Sequence, residues 1–287
     1  MSINSGNTAA VVIWYNPTSQ QADYIRSYAS ALRQVYIVDN SDEDNTALTE
    51  GLANTVYIPN RRNEGIAAAL NTGYERAIAD GAEWIVSFDQ DSHMSASQLT
   101  AYLHLCEACP ITNIGIYAPY PSYGNDQPKP ETYEQRNCVI TSGALMHADT
   151  YRQTGRFRDE FFIDLVDDEY CLRVIRKGKT IVMVNKIILE HRLGNGFVTT
   201  PILHHRFVEH NALRHYYIVR NTLVLIREYP EQRTYYRKQL GKRIKRLCLY
   251  DWHDKWEKIR MCLLAYTDYR HHRMNRFNHK SSNPSGR

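Results

Sequence analysis

The chain has 287 residues, 43% hydrophobic and 23% charged, the composition of an ordinary globular protein with room for a substantial core. No stretch approaches the ~20 consecutive apolar residues that span a bilayer, and no Lys or Arg precedes the first apolar run, so neither a transmembrane helix nor a signal peptide is expected and the expected address is the cytoplasm. The six cysteines are scattered, and Cys106-Glu107-Ala108-Cys109 is one CxxC without a second pair, which supports neither a disulfide scaffold nor a zinc ribbon.

Short apolar runs alternate with amphipathic stretches through the first half, the pattern of βα units around a mostly parallel sheet flanked by helices. Ala9 to Tyr15 reads as a strand ending at Asn16-Pro17, with Gln20 to Arg33 as its return helix. Val35 to Val38 and Thr55 to Ile58 are the next strands. Ile66 to Asp80 has helical spacing and is stopped by Gly81. The strand Trp84 to Phe88 ends abruptly in Asp89-Gln90-Asp91. A helix from about Gln98 to Cys109, a strand at Gly115 to Ala118, a loop from Pro119 to Pro130 and strand character from Val139 to His147 follow. Asp168 to Lys177 is a helix closed by Gly178, Ile181 to Val184 and Ile187 to Leu189 are strands, and from His204 onward the pattern is helical. We divide the chain into an α/β domain over 1–203, a helical extension over 204–280 and a disordered tail over 281–287.

Successive strand ends therefore present polar groups along one edge: Asn16, Asp39-Asn40, Asn60 to Asn63, and Asp89/Asp91. In open α/β sheets ligands sit beyond the carboxyl ends of the strands. Asp39 there can accept from a base imide or a ribose hydroxyl, and Arg61 or Arg62 can stack on a base or meet phosphate. Paired carboxylates one residue apart suit Mg²⁺ or Mn²⁺ carrying a phosphorylated ligand. Neither GxGxxG after the first strand nor GxxxxGK[ST] is present. Asp164, Asp167 and Asp168, three and four apart, would share one side of a helical turn, where mutual repulsion raises at least one pKa and prepares a general base. The alternative is that these acids complement the helix dipole, with Arg173 and Arg176 at the other end.

The segments VVIWYNP, VYIVDNS, NRRNEGIAAALNTGYERA, WIVSFDQDS, ITSGALM, TGRFRDEFFIDLVDDEYCLR, EHRLGN and RHYYIVRN, in this order from about Ala9 to Tyr229, resemble the family 2 glycosyltransferases with a GT-A fold, and within them bacterial polysaccharide rhamnosyltransferases. The resemblance implies an inverting, metal-dependent transfer of a sugar from a nucleotide-sugar donor to a saccharide or lipid-linked acceptor. dTDP-β-L-rhamnose is the favoured donor, and a UDP-sugar the alternative. It implies that Asn16, Asp39, Arg61, Arg62 and Asn63 lie on the donor, Asp89 on its ribose, and Asp91 and His191 at the metal and diphosphate. Asp167 takes the general-base position, with Asp164 and Asp168 as acceptor or base support, and Arg220 and Asn221 close over donor or acceptor. A dehalogenase-like phosphatase also uses a strand-terminal DxD, but at its first strand and with Thr or Val where this chain has His93.

Between Arg233 and Lys280 there are 14 Lys/Arg and 4 Asp/Glu, against 21 and 27 in the remainder, so an acidic body carries a basic extension. Leu240, Ile244, Leu247, Trp252, Trp256, Ile259 and Leu263 recur at roughly helical spacing among these cations. That pattern suits peripheral contact with an anionic inner-membrane face. Packing on the body or on a second subunit, which would make a homo-oligomer, is the other reading. No nucleic-acid reading motif accompanies the basic residues, so nucleic acid is not an expected partner.

Overall fold

A computed structural model of the chain describes residues 2–122, 129–190, 197–199, 206–208, 210–250, 253–274 and 276–277. They form two compact units, one of residues 1–157 and 166–209, the other of residues 158–165 and 210–287. The second unit thus includes a short internal segment as well as the C-terminal helices.

In the first unit β1 (Thr8–Trp14) leads to α1 (Ser19–Tyr28), β2 (Gln34–Asp39), β3 (Thr55–Pro59), α2 (Ile66–Ala79) and β4 (Trp84–Asp89). There follow α3 (Ala96–Glu107), β5 (Ile114–Ser122), β6 (Tyr133–Arg136), β7 (Leu145–His147), α4 (Ala148–Thr154), α5 (Val166–Arg176) and β8 (Thr180–Glu190). An eight-stranded sheet has the order β3-β2-β1-β4-β7-β5-β8-β6. Strands β3, β2, β1 and β4 run parallel, β7 runs antiparallel to both its neighbours, and β6 runs antiparallel to β8. A separate hairpin pairs β9 (Phe197–Thr199) with β10 (Arg206–Val208).

Both faces of the central strands are covered, which is why β1 is buried at every position and reads as an unbroken apolar run. Ala10, Val12 and Trp14 join Ile37, Val86 and Phe88 against α1 and α3. On the other face α2 packs closely on β1: a Cβ on Gly73 would lie 2.3 Å from Val11 Cγ1. Gly143 has φ +79°, and a Cβ there would lie 2.5 Å from Pro119. Both glycines therefore answer to packing inside the protein.

Several boundaries differ from the sequence reading. Pro119 to Ser122 extend β5, residues 139–144 precede a strand of only three residues, and β8 is one strand through Asn185, which is fully buried. The second unit contains α6 (Ala212–Glu228), α7 (Arg233–Leu249) and α8 (Lys255–Arg270). Asp254, with φ 49°, precedes α8, so the basic stretch is two helices. The apolar residues expected on one face also separate: Leu247 is buried, whereas Ile244, Trp256 and Leu263 are exposed. Trp252 and the tail 281–287 lie outside the described residues.

Candidate active site

Register, rather than sequence proximity, assembles the site. Trp14 lies opposite Asp39, Asp39 opposite Pro59, and Ile13 opposite Asp89, so the polar residues that follow these strands leave the sheet along one edge. Asn16 turns away with φ 48° and donates its N–H to Ser41 Oγ at 2.7 Å. The Tyr15 N–H donates to Gln90 Oε1 at 2.7 Å, joining the end of β1 to the middle of the Asp89-Gln90-Asp91 turn.

Asp39 is 1% exposed and accepts four hydrogen bonds: from the Ser41 N–H (2.9 Å) and hydroxyl (2.5 Å), Asn45 Nδ2 (2.8 Å) and the Tyr57 hydroxyl (2.7 Å). Four donors fill the lone-pair sites of a carboxylate, so accepting from a base or ribose would require one of them to move. The Tyr57 phenol is pushed up to about 12, first by desolvation and then by this bond. Asn40 Nδ2 donates to the Gly65 carbonyl, and Asn63 Oδ1 accepts the Gly65 N–H at 2.9 Å, which fixes the entry to α2. Arg61 and Arg62 are exposed and pair locally, with Asp44 at 2.9 Å and with Glu64. Hydrogen bonds from Thr46 and from Arg61 draw the Asp44 carboxyl down to about 2.

The Asp89 N–H donates to Ser142 Oγ at 3.1 Å, the Ser142 hydroxyl donates to Ser92 Oγ at 2.6 Å, and the Ser92 N–H returns to the Asp89 carbonyl at 3.1 Å. The ITSGALM segment thereby braces the aspartate turn, a role that the sequence signalled only by its Ser-Gly pair. The His93 N–H donates to the Glu190 carbonyl at 3.3 Å, tying that turn to the end of β8. His191 follows immediately and lies outside the described residues.

Asp167 and Asp168 open α5, and Asp167 Oδ1 accepts the Asp168 N–H at 3.0 Å. Asp167 as a residue is partly exposed, yet its carboxyl is desolvated, and this burial is the main reason that its pKa stands well above the ordinary carboxylate range. The charges of Asp168 and, more weakly, of Asp89 add to the effect. A cavity of about 20 Å³ adjoins Asp167 and is lined largely by Tyr74, Ile116, Val139, Ala144 and Phe157. It holds at most a water molecule and explains why the carboxyl is poorly solvated.

Asp164 departs from the expected helical turn. It precedes α5 with φ 65° and belongs to the second unit, where it forms a two-pronged pair with Arg214 at 2.6 and 2.7 Å. Arg220 and Asn221 are fully buried there. Asn221 Nδ2 donates to the carbonyls of Phe161 (3.0 Å), Ile163 (3.0 Å) and Asp164 (2.9 Å), and Arg220 Nη2 to that of Glu160 (2.6 Å). Their partners thus include the backbone of residues 160–164, and Arg220 also donates to Asn221 Oδ1 at 3.2 Å and lies over the Tyr216 and Tyr217 rings. Arg214 was missed by the sequence reading, although it begins the RHYYIVRN segment.

Among the described residues no three His, Cys, Asp or Glu side chains converge on a metal position. Mg²⁺ needs only one or two carboxylates when phosphate and water complete its shell. The hard oxygens of Asp89 and Asp91 fit that demand.

The family model for glycosyl transferase family 2 matches residues 10–162. The chain is 27% identical over 248 residues to the dTDP-rhamnosyl transferase RfbF of Shigella flexneri, covering 78% of this chain and 81% of that protein. Among solved structures, GalNAc-T7 with UDP, GalNAc and Mn²⁺ aligns with a TM-score of 0.52 at 8% identity, over 64% of this chain and 43% of that one. Truncated TarS (residues 1–349) of S. aureus aligns with a TM-score of 0.47 at 13% identity, over 65% and 60%. The mixed sheet flanked by helices is a GT-A fold, its carboxyl edge carries the aspartate turn, and the family match spans more than half of the sequence: the chain belongs to glycosyl transferase family 2 and resembles its rhamnosyltransferases.

Proposed function

We propose that the chain is an inverting glycosyltransferase that moves L-rhamnose from dTDP-β-L-rhamnose to a hydroxyl of a saccharide acceptor, free or lipid-linked, in surface-polysaccharide synthesis. The observation that carries this reading is the desolvated Asp167 carboxyl within the field of Asp168 and Asp89 at the sheet edge. A carboxyl with a raised pKa is a stronger base once ionised and takes the acceptor proton as the hydroxyl oxygen attacks the anomeric carbon. The new C–O bond forms as the bond to the diphosphate oxygen breaks, and the leaving dTDP takes the electron pair. Attack from the opposite face turns the β-donor into an α-L-rhamnoside. Asp89 and Asp91 would hold Mg²⁺ or Mn²⁺, which supplies positive charge for the departing diphosphate. Asn16, Asn63, Arg61 and Arg62 border the donor in this reading. Asp39 acts chiefly by fixing the strand end, and Arg220 and Asn221 by fixing the segment that leads into α5.

The experiment compares wild type with Asp167→Asn for transfer from dTDP-rhamnose, and for thermal stabilisation by dTDP and by UDP with and without Mn²⁺. Loss of a general base lowers the rate by about 10²–10⁴-fold, while Mn²⁺-dependent stabilisation by dTDP persists. Unchanged turnover by the variant would remove Asp167 from the role. Stabilisation by UDP alone would change the donor.

We also infer peripheral contact with an anionic membrane. Helix α7 carries seven Lys or Arg and no acid, and Trp256 and Leu263 of α8 are 81% and 64% exposed.

A further inference from the structure

Two of the chain's six thiols meet at one backbone atom. Cys171 Sγ donates to the Val139 carbonyl at 3.6 Å, and Cys138 Sγ donates to the same oxygen at 3.8 Å. Cys171 is buried within α5, whereas Cys138 as a residue is exposed. The Cys138 thiol is nevertheless held protonated, first by the adjacent Cys171 side chain, then by desolvation and, more weakly, by the charges of Asp168 and Asp167.

The pair joins two parts of the site. Cys171 lies four residues after Asp167 on α5, so both side chains project from one side of the helix. Val139, Asp167 and Cys171 line the same small cavity. Cys138 opens the segment that continues to Ser142, whose Oγ accepts the Asp89 N–H. Whatever draws Cys138 towards Cys171 therefore acts on the helix of the base and on the brace of the aspartate turn. A disulfide is such a link. It carries no charge, so it suits a place where burial and two carboxylates oppose a thiolate.

We propose that Cys138 and Cys171 form a redox-modification site, oxidised to a disulfide by a peroxide, and that the bond shifts Asp167 out of its working position. The disulfide itself is independent of the function proposed above, whereas its effect on Asp167 rests on that reading. Cys138, the accessible partner, gives up its proton and attacks one peroxide oxygen, which breaks the O–O bond and leaves a sulfenic acid and water. Cys171 then loses its proton and its sulfur attacks the Cys138 sulfur, forming the S–S bond and releasing a second water. The two thiols give up two electrons and two protons, and the peroxide is reduced to water. Because the thiolate at Cys138 is disfavoured, the first step is slow at neutral pH and quickens as pH rises.

The test treats the full chain with hydrogen peroxide at mildly alkaline pH, alkylates the remaining thiols, and maps the peptides without reduction, for wild type and Cys138→Ser. Wild type loses two alkylatable thiols and yields a cross-linked peptide joining Cys138 to Cys171, both reversed by dithiothreitol. Its transfer rate falls about tenfold or more, since a ~1 Å misplacement at the chemistry can cost ~10²-fold, and dithiothreitol restores it. Cys138→Ser, at an exposed position, keeps the basal rate, forms no cross-link and does not respond to peroxide. Six alkylatable thiols after treatment, a Cys106–Cys109 link in place of the expected one, or over-oxidation of Cys138 without a cross-link overturns the site. A Cys138–Cys171 link that leaves the transfer rate unchanged overturns its coupling to Asp167. Absence of transfer in the reduced wild type counts against the proposed function, and the peptide map still decides the site.

Discussion

Asp167 couples chemistry to stability in a way that can be measured without substrate. A carboxyl whose pKa is higher in the folded than in the unfolded chain binds more protons when folded across the interval between the two values, so stability falls as pH rises through it. Desolvation and the Asp168 charge place Asp167 in that class. At neutral pH the unfolded chain ionises this carboxyl freely while the folded site resists doing so, which lowers stability, and Asp167→Asn should melt at a higher temperature than wild type. The advantage should shrink on acidification and vanish below about pH 4, where Asp167 is protonated in the unfolded as well as the folded chain. Thermal melts across pH decide this: an Asn variant less stable than wild type at neutral pH would mean that the native site stabilises the carboxylate. The same shift predicts that transfer gains rate as pH rises through a value above the ordinary carboxylate range.

Helix α6 acts on its unit through side chains that donate to backbone. The two Nδ2 hydrogens of Asn221 serve three carbonyls within residues 161–165, a segment with left-handed φ at Phe162, Asp164 and Leu165. Asn221→Ala strands those acceptors and should cost about 1–3 kcal/mol in urea unfolding. Asn221→Asp should cost at least as much, since a carboxylate faces the carbonyls with acceptors alone. An Asp variant as stable as wild type would show that the bonds contribute little. This clamp was hidden in the sequence: FFIDLVDDEYCLR and RHYYIVRN were both recognisable, but nothing in their spacing says that the second holds the first. Equal spacing also mistook Asp164 for a helical neighbour of Asp167, because side-chain spacing carries no record of a positive φ. Strands β1, β2 and β4 were legible because burial on both faces makes them apolar over most of their length. The edge strand β6, Tyr-Glu-Gln-Arg, was not, since pairing on one side leaves its residues polar. The order of carboxylates along the sheet edge followed from strand ends alone, whereas the four donors around Asp39 and the serines behind Asp89 required the fold.

At the scale of the whole chain, the concentration of positive charge and exposed apolar side chains in α7 and α8 is the feature that packing leaves unexplained. On α8 the residues Lys258, Met261, Cys262 and Ala265 are buried, while Trp256, Arg260 and Leu263 lie on the opposite, exposed side. A helix that is apolar on two faces has one more apolar face than its own core requires. Tyr235, Ile244 and Leu249 of α7 are likewise 51%, 37% and 49% exposed, among seven cations. Each Lys or Arg near an anionic surface contributes about 1 kcal/mol, and burying a large apolar side chain about 1.5–3 kcal/mol. Cosedimentation with phosphatidylglycerol-containing vesicles should therefore be strong at low salt, weaken in high salt, and be nearly absent with zwitterionic vesicles. Trp256→Ser combined with Leu263→Ser should lower vesicle affinity by about two to four orders of magnitude through lost apolar burial, leaving the salt dependence in place. A second copy of the chain would be an alternative occupant of this face. In that case sedimentation velocity would show a concentration-dependent dimer that the double substitution abolishes, with no vesicle binding in either protein, and the membrane reading would fall.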